Sequence, residues 1–229
     1  MKIAIMQPYF FPYIGYFQLI NCVDKFVIYD DVNFIKGGWI NRNNILLNGE
    51  KSFLNIQMIG SSSYKKINEI KIHESKIKII NKIENAYSKA PFFSDILPLL
   101  NKIILYNSEE LSSYLINSIL LISEYLEINT EFLVSSEIEK DNNLKGQDKV
   151  IDICKRLNAS VYVNAIGGMD LYCNDDFLKK NINLKFIDTK NIYYKQFNEK
   201  FTPNLSIVDV LMFNNKEKII KLLNNYTII

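Results

Sequence analysis

A loop near the amino terminus combines residue types that bind small molecules. The segment Met6–Gly15 reads MQPYFFPYIG and follows a short apolar run, Lys2–Met6, that predicts a buried strand. Pro8 and Pro12 end that strand and prevent an early helix. Amide groups both donate and accept hydrogen bonds, and tyrosine hydroxyls stand on rigid rings. The substrate-binding candidates in this loop are Gln7, Tyr9, Tyr13, Gly15 and Tyr16.

The same loop also supplies apolar area. We predict that Phe10, Phe11 and Phe17 pack in the core, and a hydrophobic lid over that core is the alternative to a binding loop. Gly15 stands where the next helix begins and leaves backbone N–H groups for an anion such as phosphate. Neither the GxGxxG nor the GxxxxGK[ST] phosphate-binding pattern is present.

Two adjacent carboxylates end the second predicted strand, Lys25–Val32. Successive residues of a strand point to opposite faces, so one of the two reaches a site. We predict Asp31 as a general base or as the acceptor for a sugar hydroxyl, with Arg42 as a phosphate partner. The alternative is that Asp30 and Asp31 cap a turn and that Arg42 lies on a solvated strand. Further substrate-binding candidates after this strand are Asn33, Trp39, Asn41 and Arg42.

His73 is the one histidine of the sequence and the second catalytic candidate. Its imidazole is the natural proton carrier near neutral pH, although a surface or capping role is the alternative. No HExxH, HxH or GxSxG pattern occurs, so neither a metal site nor a catalytic triad is predicted. Weaker substrate-binding candidates beside predicted helix and strand ends are Gln147, Gly167 and Gly168.

The elements that position these residues predict an α/β fold in one domain, residues 1–229. Strands and helices alternate after Glu131, which argues for a Rossmann-like, largely parallel sheet formed from both ends of the chain. A helical insert is predicted at about 76–126, and Asn48–Gly49 predicts a primed hairpin turn in a small subdomain near 41–58. Ligands in such sheets bind beyond the carboxyl ends of the strands, so we expect the loop and Asp31 to border one cavity.

Composition excludes several classes of protein. The 229 residues carry a net charge of +2, which gives no footprint for nucleic acid. No apolar run is long enough for a membrane span, and no signal segment is recognised at the start. We therefore expect a cytoplasmic protein.

Several blocks of the sequence together resemble one family. They are QPYFFPYIGYFQLINCVDKFVIYDDVNFIKGGWINRNNI, YSKAPFF, LVSS, DICKRLNASVYVNAIGGMDLY and FTPNLSIVDVLMFN. This order resembles the WbqC-like proteins of bacterial surface-polysaccharide gene clusters. The resemblance implies a role in lipopolysaccharide O-antigen or related glycan assembly. A fainter likeness is to nucleotidylyl transferases with an HxGH segment, but Tyr13 and Tyr16 stand where the two histidines would be.

These observations lead to one leading hypothesis and two alternatives. The leading hypothesis is a transferase that modifies a nucleotide-activated sugar or amino sugar by acyl or other group transfer in O-antigen, capsule or flagellin-glycan synthesis. The first alternative is ATP-dependent carboxylate activation or nucleotidylyl transfer. The second is a non-catalytic subunit that binds a glycan or a partner. The cofactor is unknown, with an acyl donor or ATP as candidates, and a homo-oligomer is possible.

Overall fold

The computed structural model describes residues 1–73, 76–197 and 199–229 of the chain. Its strands are β1 (Lys2–Met6), β2 (Lys25–Ile28), β3 (Arg42–Leu47), β4 (Glu50–Asn55), β5 (Met58–Ile59), β6 (Lys71–Ile72), β7 (Glu131–Val134), β8 (Val161–Ala165), β9 (Asn183–Thr189) and β10 (Tyr226–Ile228). Its α-helices are α1 (Ile14–Asn21), α2 (Lys76–Tyr87), α3 (Phe93–Ile104), α4 (Leu111–Tyr125), α5 (Gly146–Arg156), α6 (Asn174–Leu178), α7 (Ile207–Phe213) and α8 (Lys216–Leu222). Short 3-10 helices cover Ile67–Glu69, Ser135–Glu137 and Ile166–Leu171.

The central sheet confirms the predicted α/β class. Its strand order is β10-β9-β8-β1-β2-β7, with β3 and β4 forming a separate hairpin. Every neighbouring pair in the central sheet is parallel except β9 with β10. The chain proceeds from β1 to β2 on one side and later adds β8 on the other side of β1. The carboxyl ends of β1, β2, β7, β8 and β9 therefore meet at one edge.

Alternating side chains of the central strands face two apolar layers. Ala4 and Phe26 belong to the larger core, which includes α1, α2, α3, α4 and α7. Ile5 and Val27 face the smaller core beneath α5 and α6. This alternation follows from the two-residue period of a strand, and burial on both faces explains the nearly continuous apolar runs in the sequence.

Several predicted strands are shorter in the structure because side chains at their ends redirect the backbone. The strand predicted over 25–32 ends at Ile28. The segment EFLVSSEI, residues 131–138, also has a sequence that predicts a strand, but its strand ends at Val134. Beyond those points, Ser135 and Ser136 turn into a 3-10 helix and donate to the two aspartates after β2. The segment INEIKI, residues 67–72, has a sequence that favours a short strand, but it begins as a 3-10 helix and only Lys71–Ile72 forms a strand.

Other local predictions are confirmed. Asn48 and Gly49 have φ angles of 52° and 83°, as a primed turn requires. Serine is a favoured N-cap residue, so Ser206 before the apolar run IVDVLMF predicts a helix start, and it caps α7 by accepting from Val208 N–H at 3.2 Å. The antiparallel strand β10 was not predicted. Among the described residues, no helix is both long and apolar enough to cross a bilayer.

Candidate functional site

A cleft of about 410 Å³ opens beside the carboxyl end of β9 and the amino terminus of α1. This volume suits a small organic ligand, and its place at the strand ends is where open parallel sheets bind ligands. Its walls combine aromatic rings, amides, hydroxyls and one lysine. The lining residues are Tyr13, Ile14, Thr189, Lys190, Asn191, Ile192, Tyr193, Tyr194, Phe201, Pro203, Asn204, Leu205 and Val210.

The amino-terminal loop contributes Tyr13 to this cleft. Tyr13 is the residue before α1, and burial raises the pKa of its hydroxyl while a hydrogen bond with Thr189 opposes the shift. Gly15 is buried, and a Cβ there would lie 2.7 Å from Thr189 Oγ1 and would also overlap the Tyr13 ring. The glycine therefore lets α1 approach β9 closely, which brings the two walls of the cleft together.

The remaining loop residues pack inward. Tyr16 donates its hydroxyl proton to the Gln7 carbonyl at 3.0 Å, and its ring lies 5.4 Å from that of Tyr9. Burial raises the pKa of both tyrosines. Gln7, Tyr9, Gly15 and Tyr16 do not line the cleft, so the structure gives Tyr13 alone of the loop candidates a place in it. The predicted core residues Phe10, Phe11 and Phe17 are fully buried, as expected.

The loop backbone is strained at Phe11, which has a φ of 43°. A bulky residue adopts this left-handed conformation only when its surroundings impose it. The Phe11 carbonyl accepts from Asn43 Nδ2 at 2.8 Å and from Ser206 Oγ at 2.9 Å. The hairpin and the start of α7 thus fix the loop that positions Tyr13.

A buried carboxylate lies behind the cleft wall. Asp209 in α7 has no solvent exposure and accepts three side-chain hydrogen bonds. Tyr194 Oη at 2.6 Å and Gln196 Nε2 at 2.7 Å donate to one oxygen, and Tyr87 Oη at 2.9 Å donates to the other. Burial raises the pKa of the Asp209 carboxyl, although these three donors oppose the shift. Within the described residues, no lysine, arginine or histidine forms an ion pair with it.

A second buried carboxylate, Asp31, is paired with two lysines. Lys149 Nζ lies 2.8 Å and Lys140 Nζ 3.1 Å from Asp31 Oδ2, and both lysine side chains are buried. Ser135 Oγ donates to the other carboxylate oxygen at 2.6 Å. Burial opposes ionisation of Asp31, but the bonds from Lys149, Ser135 and Lys140 outweigh it and lower its pKa. Its neighbour Asp30 accepts from Ser136 Oγ at 2.6 Å and Ser136 N–H at 2.9 Å.

The structure separates Asp31 from the cleft that Tyr13 lines. Both follow neighbouring parallel strands at the same edge of the sheet, as predicted. Asp31 is nevertheless 5% exposed and is not among the lining residues of the cleft. The expectation that the loop and Asp31 border one cavity is therefore wrong for this cleft, because Lys140, Lys149 and Ser135 enclose the carboxylate.

The candidates between β2 and β4 also lie outside the cleft. Arg42 donates to the carbonyls of Gly37 and Gly38, and its guanidinium stacks 4.6 Å from the Phe53 ring. Asn41 Nδ2 donates to the Ile56 carbonyl at 3.0 Å. These bonds hold the turn and the hairpin. The two exposed candidates of this region are Asn33 and Trp39.

The remaining candidates occupy three further places. Gln147 connects α5 to α6 through Asp176 Oδ2 at 3.0 Å. Gly167 is exposed with open space where a side chain would be, whereas a Cβ on Gly168 would lie 2.9 Å from Asn164 Nδ2. His73 is exposed, and its backbone N–H donates to the Gln57 carbonyl at 2.8 Å. None of them lines the cleft.

The sequence analysis did not identify Asp209, the cleft wall formed by residues 189–205, or the two lysines that pair with Asp31. Asp209 lies in the apolar helix IVDVLMF. A single acid in such a run predicts a buried carboxylate that accepts hydrogen bonds. The segment 189–205 has no periodicity that would point to a binding wall. Lys140 and Lys149 are far from Asp31 in the sequence. Across residues 1–73, 76–197 and 199–229, no cluster of three or more His, Cys, Asp or Glu side chains could hold a metal ion.

Comparison with known proteins places the chain in a family. It is 30% identical over 219 residues to the uncharacterized protein Rv1507c of Mycobacterium tuberculosis, and the match covers 93% of both chains. No solved structure matches it. The model of the WbqC-like protein family matches residues 7–221, nearly the whole length. The chain therefore belongs to the WbqC-like protein family.

Proposed function

We propose that the protein is a transferase that modifies a nucleotide-activated sugar during synthesis of a bacterial surface glycan. The observation that carries this proposal is the cleft beside β9, with its mixture of rings, amides and one cation. A nucleotide sugar presents the matching chemistry, because it has a flat base, apolar sugar faces, hydroxyls and a diphosphate.

Each part of the cleft wall has a matching ligand group. The rings of Tyr193 and Phe201 lie 5.3 Å apart and offer faces for stacking on a base or a sugar. Asn191 and Asn204 supply amides that both donate to and accept from sugar hydroxyls. Lys190 is half exposed and pairs weakly with Asp188 at 3.4 Å, so its ammonium is available to a phosphate.

Calorimetric titration and thermal-shift screening test this function directly. UDP-sugars, dTDP-sugars, ATP and acyl-CoA are compared, and a nucleotide sugar is expected to bind and to raise the melting temperature. Lys190→Ala is expected to weaken that binding about tenfold by removing one charged phosphate contact. Lys195→Ala, an exposed lysine outside the cleft, is the matched control and should bind as the wild type does.

Two results would overturn the proposal. The first is no binding by any nucleotide sugar. The second is a tight complex that Lys190→Ala leaves unchanged, since the ligand would then occupy another place. Binding of ATP with release of pyrophosphate would favour carboxylate activation instead.

One observation favours a non-catalytic subunit as the second candidate. Asp31, predicted as the general base, is held by two lysines and a serine, which leaves it little freedom to take a proton from a substrate. Its catalytic role and that of His73 stay predictions. Retained turnover in Asp31→Asn would remove Asp31 from the mechanism, and binding without turnover across acyl donors would favour the subunit.

A further inference from the structure

The hydrogen bonds to Asp209 determine which groups behind one wall of the cleft donate a proton and which can still accept one. An ionised carboxylate only accepts, so Tyr87, Tyr194 and Gln196 each direct a proton toward it. A buried carboxylate without a cation is costly unless hydrogen bonds surround it, which explains why three donors converge there.

Two of the three donors are fully engaged within the protein. The Tyr87 hydroxyl also accepts from the Leu46 N–H at 3.0 Å. The Gln196 side chain also accepts from Thr202 N–H at 2.8 Å and donates to the Thr202 carbonyl at 3.2 Å. Neither residue lines the cleft.

Tyr194 differs because it lines the cleft. Its hydroxyl proton points to Asp209, so toward a ligand the hydroxyl can only accept, and its oxygen, which has two lone pairs, also has the Gln196 side chain as a hydrogen-bond partner. Its ring packs edge-on to Phe201 at 5.1 Å, which fixes its orientation. A ligand group next to this hydroxyl must therefore be a hydrogen-bond donor.

The carboxylate of Asp209 behind Tyr194 favours a positively charged donor over a neutral one. The described groups that contact the Asp209 carboxylate are neutral tyrosines and an amide, contributed by α2 and by the segment before α7. Their dipoles reduce the negative potential without cancelling the charge. A ligand cation in the cleft would complete the pairing, and aromatic faces beside it would add to the attraction.

We propose that the cleft recognises the primary amine of a nucleotide-linked amino sugar, with Tyr194 as its hydrogen-bond acceptor and Asp209 as the residue that positions and polarises Tyr194. This inference rests on the proposed function, since it concerns the sugar end of the same ligand. It names the feature of the sugar that the site selects. Asp209 acts through Tyr194 and does not itself touch the ligand.

Calorimetric titration with matched ligand pairs tests the inference. UDP-glucosamine is compared with UDP-glucose, and a dTDP-linked aminodeoxy sugar is compared with its hydroxyl analogue. The wild type is expected to prefer the amine of at least one pair about tenfold, as one charge-assisted hydrogen bond predicts. Tyr194→Phe removes only the hydroxyl and is expected to abolish the preference, and Asp209→Asn is expected to reduce it. Asp175→Asn, an exposed acid of α6, is the matched control.

The ratio of the two affinities separates recognition from general loosening. A variant that merely disorders the cleft weakens both ligands and leaves their ratio unchanged. Equal affinity for amine and hydroxyl in the wild type would overturn this inference while the proposed function stood. A preference that survives in Tyr194→Phe would overturn it as well. If neither member of any pair bound, the proposed function and this inference would both fail.

Discussion

Two of the buried aspartates, Asp31 at the carboxyl edge of the sheet and Asp209 in α7, show how one residue type serves different purposes. Asp31 meets two ammonium groups and a hydroxyl, and its pKa is lowered. Asp209 meets two phenols and an amide, and its pKa is raised by burial. Asp31 is thus neutralised within the protein and joins β2 to α5. Asp209 has no cationic partner among the described residues, and its hydrogen-bond donor Tyr194 lines the cleft.

The largest expected effect is the loss of the Asp31 ion pairs. Asp31→Asn would leave Lys140 and Lys149 buried without a carboxylate, and removing one partner of a buried pair costs about 3–5 kcal/mol of unfolding free energy. Urea denaturation measures this loss, with Asp175→Asn as an exposed control. A loss within ~0.5 kcal/mol, the range of ordinary surface substitutions, would show that the cluster contributes little to stability.

A smaller loss of unfolding free energy is expected from Tyr87→Phe, which changes a hydrogen-bond donor to Asp209. The change removes one donor to Asp209 and the acceptor of the Leu46 N–H, and leaving such buried groups unsatisfied costs about 1–3 kcal/mol. Because Tyr87 does not line the cleft, the preference for an amine over a hydroxyl should remain. Denaturation and calorimetry on the same variant measure both quantities. Loss of the preference without loss of stability would contradict the division of roles between Tyr87 and Tyr194.

The smallest effect is the pH dependence of stability, for which the two residues predict opposite signs. The lowered pKa of Asp31 contributes stability above the unfolded value of about 3.9, and this contribution is lost as the pH falls through its folded pKa. The raised pKa of Asp209 contributes stability below about 3.9, and this contribution is lost as the pH rises through its folded pKa. We therefore compare the unfolding free energy of the wild type with that of each variant. The wild-type value minus the Asp31→Asn value should increase with pH, whereas the wild-type value minus the Asp209→Asn value should decrease. Slopes of the same sign would contradict the contrast.

The sequence predicted the parts of the fold that depend on local pattern. The apolar run of β1, the helical spacing of α2 and the Asn48–Gly49 turn are each determined by neighbouring residues. Strand β10 was missed because its three residues form a strand only by pairing with the edge strand β9. Such pairing leaves no local signal.

The candidate site was less predictable because it depends on contacts between distant residues. Asp31 was identified as a strand-end acid, but its partner Lys149 is 118 positions away. Tyr13 was identified from its loop, whereas the opposite wall comes from an irregular segment after β9. Asp209 had a local signal, an acid within an apolar helix, and reading it as a buried polar group would have directed attention to the cleft.

The carboxyl resonances of Asp31 and Asp209 test the central claim, that the ligand binds in the cleft beside Asp209, most directly. NMR titration of aspartate-labelled protein, assigned with the two Asn variants, follows both groups with and without UDP-glucosamine. We expect the bound amine to lower the pKa of Asp209 by stabilising its ionised form and to leave Asp31 unchanged. A ligand-induced shift at Asp31 with none at Asp209 would contradict the account.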